Sequence, residues 1–403
     1  MHSVPAAAGI PLEFLLFAAV LGMVAFSRVS TLASALGGAV LITAYKLGFS
    51  GFDGVPGLAG LLAHAGREWV GLANLLALLL GFALLARHFE DSAIPARLPD
   101  YLPDGWGGPL LLLLAVFLIS SFLDNIAAAM IGGAVAHTVF RGKVQTGYLA
   151  ALVAASNAGG AGSVVGDTTT TMLWLAGVAP LQVLHAYVAA VVALLVCAVP
   201  AAIAQQAYCP ISKDAAPGVR IDWPRVAIVG LILGTAVAAN VLLNLRYRAL
   251  AGAFPFLGAA LWLALGASAA LRRPAWEVLP GAFKGALFLL ALVWCASAMP
   301  VAALPPASWG STLALGFLSA VFDNIPLTAL ALRQGGFDWG FLAYAVGFGG
   351  SMIWFGSSAG VALSGMYPHS RSVIQWLRQG WHVSLGYVAG YFVMLALLGW
   401  HPA

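Results

Sequence analysis

Two carboxylate–amide pairs stand within or at the end of apolar sequence: Asp124-Asn125-Ile126 and Asp323-Asn324-Ile325. A lone carboxylate in such a stretch costs at least ~2.5 kcal/mol even on insertion scales, so it persists where it faces a cavity, a partner or an ion. The neighbouring Asn adds a neutral carbonyl oxygen and two donors. Oxygen ligands of this kind suit hard cations, which makes Asp124, Asn125, Asp323 and Asn324 candidates for holding Na⁺. A second element follows each pair. Gly159-Gly160, five residues, then Gly166-Asp167-Thr168 parallels Gly349-Gly350, five residues, then Gly356-Ser357-Ser358. Asp167 with Thr168 and Thr169 supplies a carboxylate and hydroxyls, whereas Ser357 and Ser358 offer hydroxyls alone. With Asn157 just ahead of the first glycine pair, these complete the candidate ion- or substrate-binding set. Asp167 also fits the N-cap of a helix from Thr168 to Gly177, and the two roles are compatible.

The small-residue run Ser156 to Ser163 is expected to form a re-entrant hairpin or an unwound helix middle, shielded by protein or lining water. Helix breaks are therefore expected at Gly159, Gly160, Gly166, Gly349, Gly350 and Gly356. Pro326 cannot donate a backbone bond and favours another break there. Carbonyls freed at such breaks coordinate cations in many transporters. His137, His185 and His382 lie near segment ends, where no catalytic or metal role is expected. Glu13 reads as interfacial and Lys284 as snorkelling.

What positions these groups follows from composition. Of 403 residues, 62% are hydrophobic and 8% charged, against roughly 25% charged in soluble chains. Much of the sequence must be solvated by lipid. Apolar runs long enough for a bilayer crossing, ~20 residues each, together with shorter or interrupted ones, give about eleven to thirteen membrane-embedded pieces. The runs are continuous, without period-2 alternation, so the fold class is an all-α polytopic membrane protein and not a barrel. The net charge of +4 comes from Lys and Arg scattered at segment ends, which fits orientation in a membrane and not nucleic-acid binding. Cys197, Cys209 and Cys295 have no metal or redox spacing and are expected to pack as small apolar groups. No cleaved signal peptide is expected. With no Walker-type sequence and no large soluble segment, transport would run on an ion gradient or passively; no enzyme motif such as HExxH or a Ser–His pairing is present, and no cofactor is expected.

Two shared elements in the same order argue for an internal duplication. The expected organisation is scaffold helices in 1–104, a first transport repeat in 105–206, a polar loop in 207–225, scaffold helices in 226–300, and a second transport repeat with the C-terminal helix in 301–403. The loop, with Lys213, Asp214, Arg220, Asp222 and Arg225, is expected to be cytoplasmic.

On Leu123-Asp124-Asn125-Ile126, Ser156-Asn157-Ala158-Gly159-Gly160-Ala161, Gly166-Asp167-Thr168-Thr169-Thr170-Thr171-Met172-Leu173-Trp174 and Asp323-Asn324-Ile325-Pro326, the chain resembles the NhaD-type sodium/proton antiporters. These lie within an ion-transporter superfamily that includes arsenite permeases and citrate and dicarboxylate carriers. The resemblance implies inverted repeats, each with a scaffold and a transport part, and a re-entrant hairpin and discontinuous helix per repeat. It also implies elevator-like movement and often a homodimer; the expected location is the cell inner (plasma) membrane, crossed several times. Ala127 departs from it, standing where the pattern has Pro, as do Ala128 and Ala129, which replace hydroxyl-bearing residues.

Two functions remain open on the residues. The first is Na⁺ (or Li⁺)/H⁺ antiport, in which Asp124, Asp167 and Asp323 alternate between proton and cation. The second is Na⁺-coupled transport of citrate or a related anion, met by helix N-termini. No Lys or Arg occurs from Val144 to Ile211 or from Gly285 to Leu332. A core with carboxylates and no basic side chain favours the cation.

Overall fold

Apolar sequence without an aqueous partner satisfies its backbone internally, and the computed structural model is accordingly almost wholly helical. It describes the chain except residues 1–5, 8–9, 27–29, 164–165, 213–219, 248–249 and 251. Lys213 and Asp214 of the expected loop thus lie outside the described residues. Two paired two-residue strands, Ala6–Ala7 and Ile10–Pro11, precede the helices.

Four helices come first: α1 (Leu12–Phe26), α2 (Thr31–Tyr45), α3 (Gly57–Asp91) and α4 (Ile94–Tyr101). The next six are α5 (Gly107–Ser120), α6 (Asn125–Val139), α7 (Thr146–Ala161), α8 (Thr168–Leu175), α9 (Pro180–Leu184) and α10 (Ala186–Tyr208). Then follow α11 (Trp223–Arg246), α12 (Phe256–Ser268) and α13 (Leu279–Ser297). The last six are α14 (Trp309–Ser319), α15 (Asn324–Gln334), α16 (Trp339–Gly349), α17 (Ser358–Met366), α18 (Val373–Gln379) and α19 (Trp381–Leu398). Among the described residues, six helical stretches are long and apolar enough to cross a membrane, and four shorter apolar helices accompany them.

The series α5, α6, α7, α8, α10 recurs as α14, α15, α16, α17, α19. In each, a turn capped by Asp joins the first two helices, and an extended break separates the third from the fourth. Cap geometry repeats closely: φ −53°, ψ 140° at Asp124 and φ −52°, ψ 143° at Asp323. Asp167 and Ser357, which precede α8 and α17, are both extended (φ −147°, ψ 149° and φ −138°, ψ 153°). The two series meet along α7 and α16 and along α10 and α19. Gly386 packs on Ala193 and Gly390 on Ala189, so α10 and α19 run antiparallel. Outside this core α2 packs on α13 and α12 on α3, with α3 against α13.

Helix α7 is buried along its whole length. Its small Ala, Gly and Ser residues let α5, α6, α10 and α16 approach closely, as small residues do between membrane helices. This corrects one expectation: Gly159 and Gly160 lie inside α7, and the chain unwinds only after Ala161. Their lack of a side chain serves contact, since a Cβ at Gly159 would collide with the Phe117 carbonyl and one at Gly160 would sit 2.8 Å from the Gly166 carbonyl. Gly349 likewise ends α16 against the Gly316 carbonyl, and Gly350 opens a 3₁₀ turn. Gly166 and Gly356 do lie in the breaks.

Two further expectations change. Pro326 does not interrupt a helix: it occupies the first turn of α15, where a missing N–H leaves no bond unmade. The matching turn forms equally well before Ala127, because the Asp cap and not proline sets it. Glu13 is not exposed at a surface but buried in the protein, 4.0 Å from the buried Lys46, since α1 lies against α2.

Candidate ion site

The starts of four helices, α6, α8, α15 and α17, deliver the candidate residues to one place. Asp124 and Asp323 spend one carboxylate oxygen each on their own helix, accepting from Ile126 N at 3.1 Å and Ile325 N at 3.0 Å. Each capped turn then projects its Asn inward. Asn125 Nδ2 donates to Asp167 Oδ1 at 3.0 Å and to Asn157 Oδ1 at 3.0 Å. Asn324 Nδ2 reaches the same carboxylate from the other half, 3.4 Å from Oδ1 and 3.3 Å from Oδ2.

Asp167 is therefore the meeting point of the two halves. It is 3% exposed, and although it sits at the N-cap position of α8 its side chain makes no capping bond; its carbonyl instead accepts from Thr170 and Thr171 Oγ1 at 2.9 Å. Thr169 Oγ1, fully buried, faces the carboxylate without reaching hydrogen-bond geometry to any described partner. Thr168 lies at the cavity wall.

The matching position in the second half behaves differently. Ser357 Oγ caps α17 by accepting from Gly360 N at 3.2 Å and also accepts from Asn157 Nδ2 at 3.2 Å. Asn157 donates as well to Ser351 Oγ at 2.9 Å. Ser358 Oγ donates to Asp323 Oδ2 at 3.2 Å. Hydrogen bonds thus join Asn125, Asn157, Asp167, Asn324 and Ser357 into one set; Asp323 bonds to Ser358 and its own helix, Asp124 to its own helix, and Thr168 and Thr169 adjoin Asp167 in sequence.

Reasoning from the sequence missed Ser351 and Gly347. In the repeat, Gly347 is the counterpart of Asn157, and Ser351 that of Ala161. A Cβ at Gly347 would stand 3.4 Å from Asp167 Oδ2 and 3.5 Å from Ala161 Cβ. One crossing of α7 and α16 is thus polar (Asn157 with Ser351 and Ser357), and its counterpart is bare except for Asp167. The two hydroxyls that hold α5 and α14 also correspond: Ser120 Oγ donates to Ser156 O at 2.6 Å and Ser319 Oγ to Val346 O at 2.7 Å.

A cavity of about 440 Å³ opens onto the set. Asp124, Asn125, Asp167, Asn324 and Ser358 form its polar floor, and apolar residues of α3 and α13 its walls, with Glu90 at the far end. Among the described residues no Lys, Arg or His lines it. No described group of three or more His, Cys, Asp or Glu could form a metal cage, so the oxygen donors here are carboxylate, amide and hydroxyl. Such a set can exchange one hard monovalent cation for a proton, with the amide oxygens of Asn125 and Asn324 turning toward the ion.

A family model described as citrate transporter matches residues 21–349. Sodium/proton antiporter 1 of Arabidopsis thaliana is 30% identical over 285 residues, 62% of this chain and 49% of that protein. The Na(+)/H(+) antiporter NhaD of Alkalimonas amylolytica is 29% identical over 329 residues, covering 70% of this chain and 67% of that one. For its namesake in Vibrio parahaemolyticus the values are 28% over 366 residues, 77% and 87%. The chain thus spans about half the length of the plant relative and more of the bacterial ones.

Proposed function

The chain belongs to the citrate transporter family of membrane transporters, and within it we propose that this member exchanges Na⁺ (or Li⁺) for protons. The observation that carries the reading is Asp167, a buried carboxylate held by amides from both halves in a cavity that, among the described residues, no basic side chain lines. A bound citrate-like anion would face Asp167 and Asp124 with no cationic side chain among the described lining residues to offset them. Two of the four converging helix starts, which otherwise attract anions, already carry their own Asp caps.

The chemistry is a competition. Removal from water favours the neutral acid, whereas amide donors and a helix N-terminus favour the anion. A carboxylate poised between these terms trades its proton for a cation that carboxylate, amide and hydroxyl oxygens can surround. Exchange follows if only the loaded protein reorients. Asp167, with Asn125, Asn157, Asn324, Thr168 and Thr169, would form the exchanging centre; Asp124 and Asp323 orient the amides and add negative potential. The antiparallel contact of equivalent helices supports halves of inverted orientation, and α3 and α13 would be the scaffold against which the site-bearing helices move. The cell inner membrane is the proposed location.

The test uses purified full-length chain in liposomes with an internal pH dye. Added Na⁺ or Li⁺ should release protons, and Asp167→Asn should not. If Na⁺ leaves the internal pH unchanged while labelled citrate accumulates, the antiport reading is wrong.

A further inference from the structure

The cavity reaches the ion site from the side of Glu90. Its wall on α3 runs from Leu75 to Glu90, and on α13 from Gly281 to Leu289 with Val278 just ahead of that helix, the halves of these two antiparallel helices nearest Glu90. At 1.5 Å per residue, Glu90 stands about 35 Å along α3 from Arg67, more than the ~30 Å hydrocarbon core of a bilayer. The two ends of α3 therefore face opposite sides of the membrane.

Toward the Arg67 end the site is sealed in two layers. The first is apolar: Met172 of α8, Ile325 and Ala329 of α15, and Leu292 and Ala296 of α13 pack together, all buried. The second is ionic. Phe52 and Val55 pair across the turn Asp53-Gly54, whose positive φ values (49° and 82°) are those a type I′ turn requires of an Asp-Gly pair. The turn holds out the Asp53 carboxylate, whose Oδ2 accepts from Arg67 of α3 and whose Oδ1 accepts from Arg333 of α15. His64 Nδ1 lies 3.8 Å from Oδ2, and Glu68 Oε1 is 4.0 Å from Arg333.

Arg333 is the opposite end of the helix that begins with Asn324. Over the eleven residues of α15 a helix is stiff, so displacement of Asn324 from Asp167 displaces Arg333 from Asp53. We propose that Asp53 and Arg333 form the gate that closes the ion site from the membrane face opposite Glu90, and that this bridge opens whenever the site turns to that face. Arg333 is suited to release, because its buried Nε has no hydrogen-bond partner among the described residues. The gate rests on the chain being a transporter, not on which ion it carries.

The test joins two measurements on the full-length chain with Cys197, Cys209 and Cys295 changed to Ala. In the Asp53→Cys/Arg333→Cys variant, a short cleavable bifunctional thiol reagent should lower exchange about ten-fold or more, as blocked opening does, and cleavage should restore it. Crosslinked protein that exchanges as fast as uncrosslinked protein would overturn the gate. The second measurement needs no transport. With Met130→Cys in the cavity wall, an impermeant thiol reagent should label from the Glu90 face in wild-type gate background. Adding Asp53→Asn and Arg333→Gln should raise labelling from the other face several-fold, by weakening the closed state; unchanged labelling there would equally refute the gate. If the unmodified chain releases no protons on Na⁺ addition, the antiport reading fails while the labelling still decides the gate.

Discussion

Asp167 is held in a way that fixes what its neighbours must do. Its two amide donors come from helices that share no loop, so either Asn can be removed while the other still defines the pocket. Hydrogen bonds to charged groups contribute ~1.5–3 kcal/mol, so Asn324→Ala is expected to raise the half-saturating Na⁺ concentration ~10-fold or more. That shift, read in pH-dye liposomes, should come with a smaller change in maximal rate; a fall in rate at unchanged half-saturation would assign Asn324 to movement instead. Legible in the sequence were the carboxylates and amides inside apolar runs that the structure gathers at one cavity. Ser351 and Gly347 were not, since their meaning lies in which residue of the other half they touch. Glycine positions were legible but their purpose was not. Gly349→Ala puts a methyl group into the Gly316 carbonyl and should cost about 1–3 kcal/mol, the range of an overpacked core, whereas Gly365 faces open space and Gly365→Ala should leave the melting temperature in detergent unchanged. Equal melting of the two variants would remove the close-contact account.

The helices were readable from apolar runs and their breaks only roughly, because a break is made by caps rather than by its most flexible residues. Asp124 and Asp323 start α6 and α15 on matching backbones although one is followed by Ala127 and the other by Pro326. Asp222 does the same for α11 at the membrane edge, accepting from Arg225 N. The hydrogen bond from Arg272 Nε, 2.9 Å away, is the leading reason that its carboxyl titrates below its ordinary 3.8. A carboxylate whose native pKa is depressed adds stability above its unfolded pKa and loses it as pH falls through the native value. Wild type should therefore melt above Asp222→Asn at neutral pH, and the two should converge as pH falls below 3.8. A gap that stays constant in melts down to about pH 3 would show that the charge contributes nothing.

The recurring order of helices was legible because both halves keep Asp-Asn-Ile and a spaced glycine pattern; that the halves clasp each other was not, since reciprocal contacts are a property of the pair. The structure shows α6 against α17 and, correspondingly, α15 against α8. Asn157 meets Ser351 and Ser357, while Gly347 and Ala161 leave the corresponding space to Asp167. One charge has thus been placed in one of two equivalent positions. If the asymmetry is only in that placement, the carboxylate can be moved. Asp167→Ser alone should lower exchange ~100-fold or more, the loss expected when about 2.7 kcal/mol of charge interaction goes. Ser357→Asp added to it would set a carboxylate beside Asn157 Nδ2 at the start of α17. The double variant should regain exchange well above the single one, at altered cation affinity, because Asn157 replaces Gly347 as the facing residue. A double variant as inactive as Asp167→Ser, yet melting within a few degrees of wild type, would mean that the carboxylate must stand on α8 and that the two helix starts are not equivalent in transport.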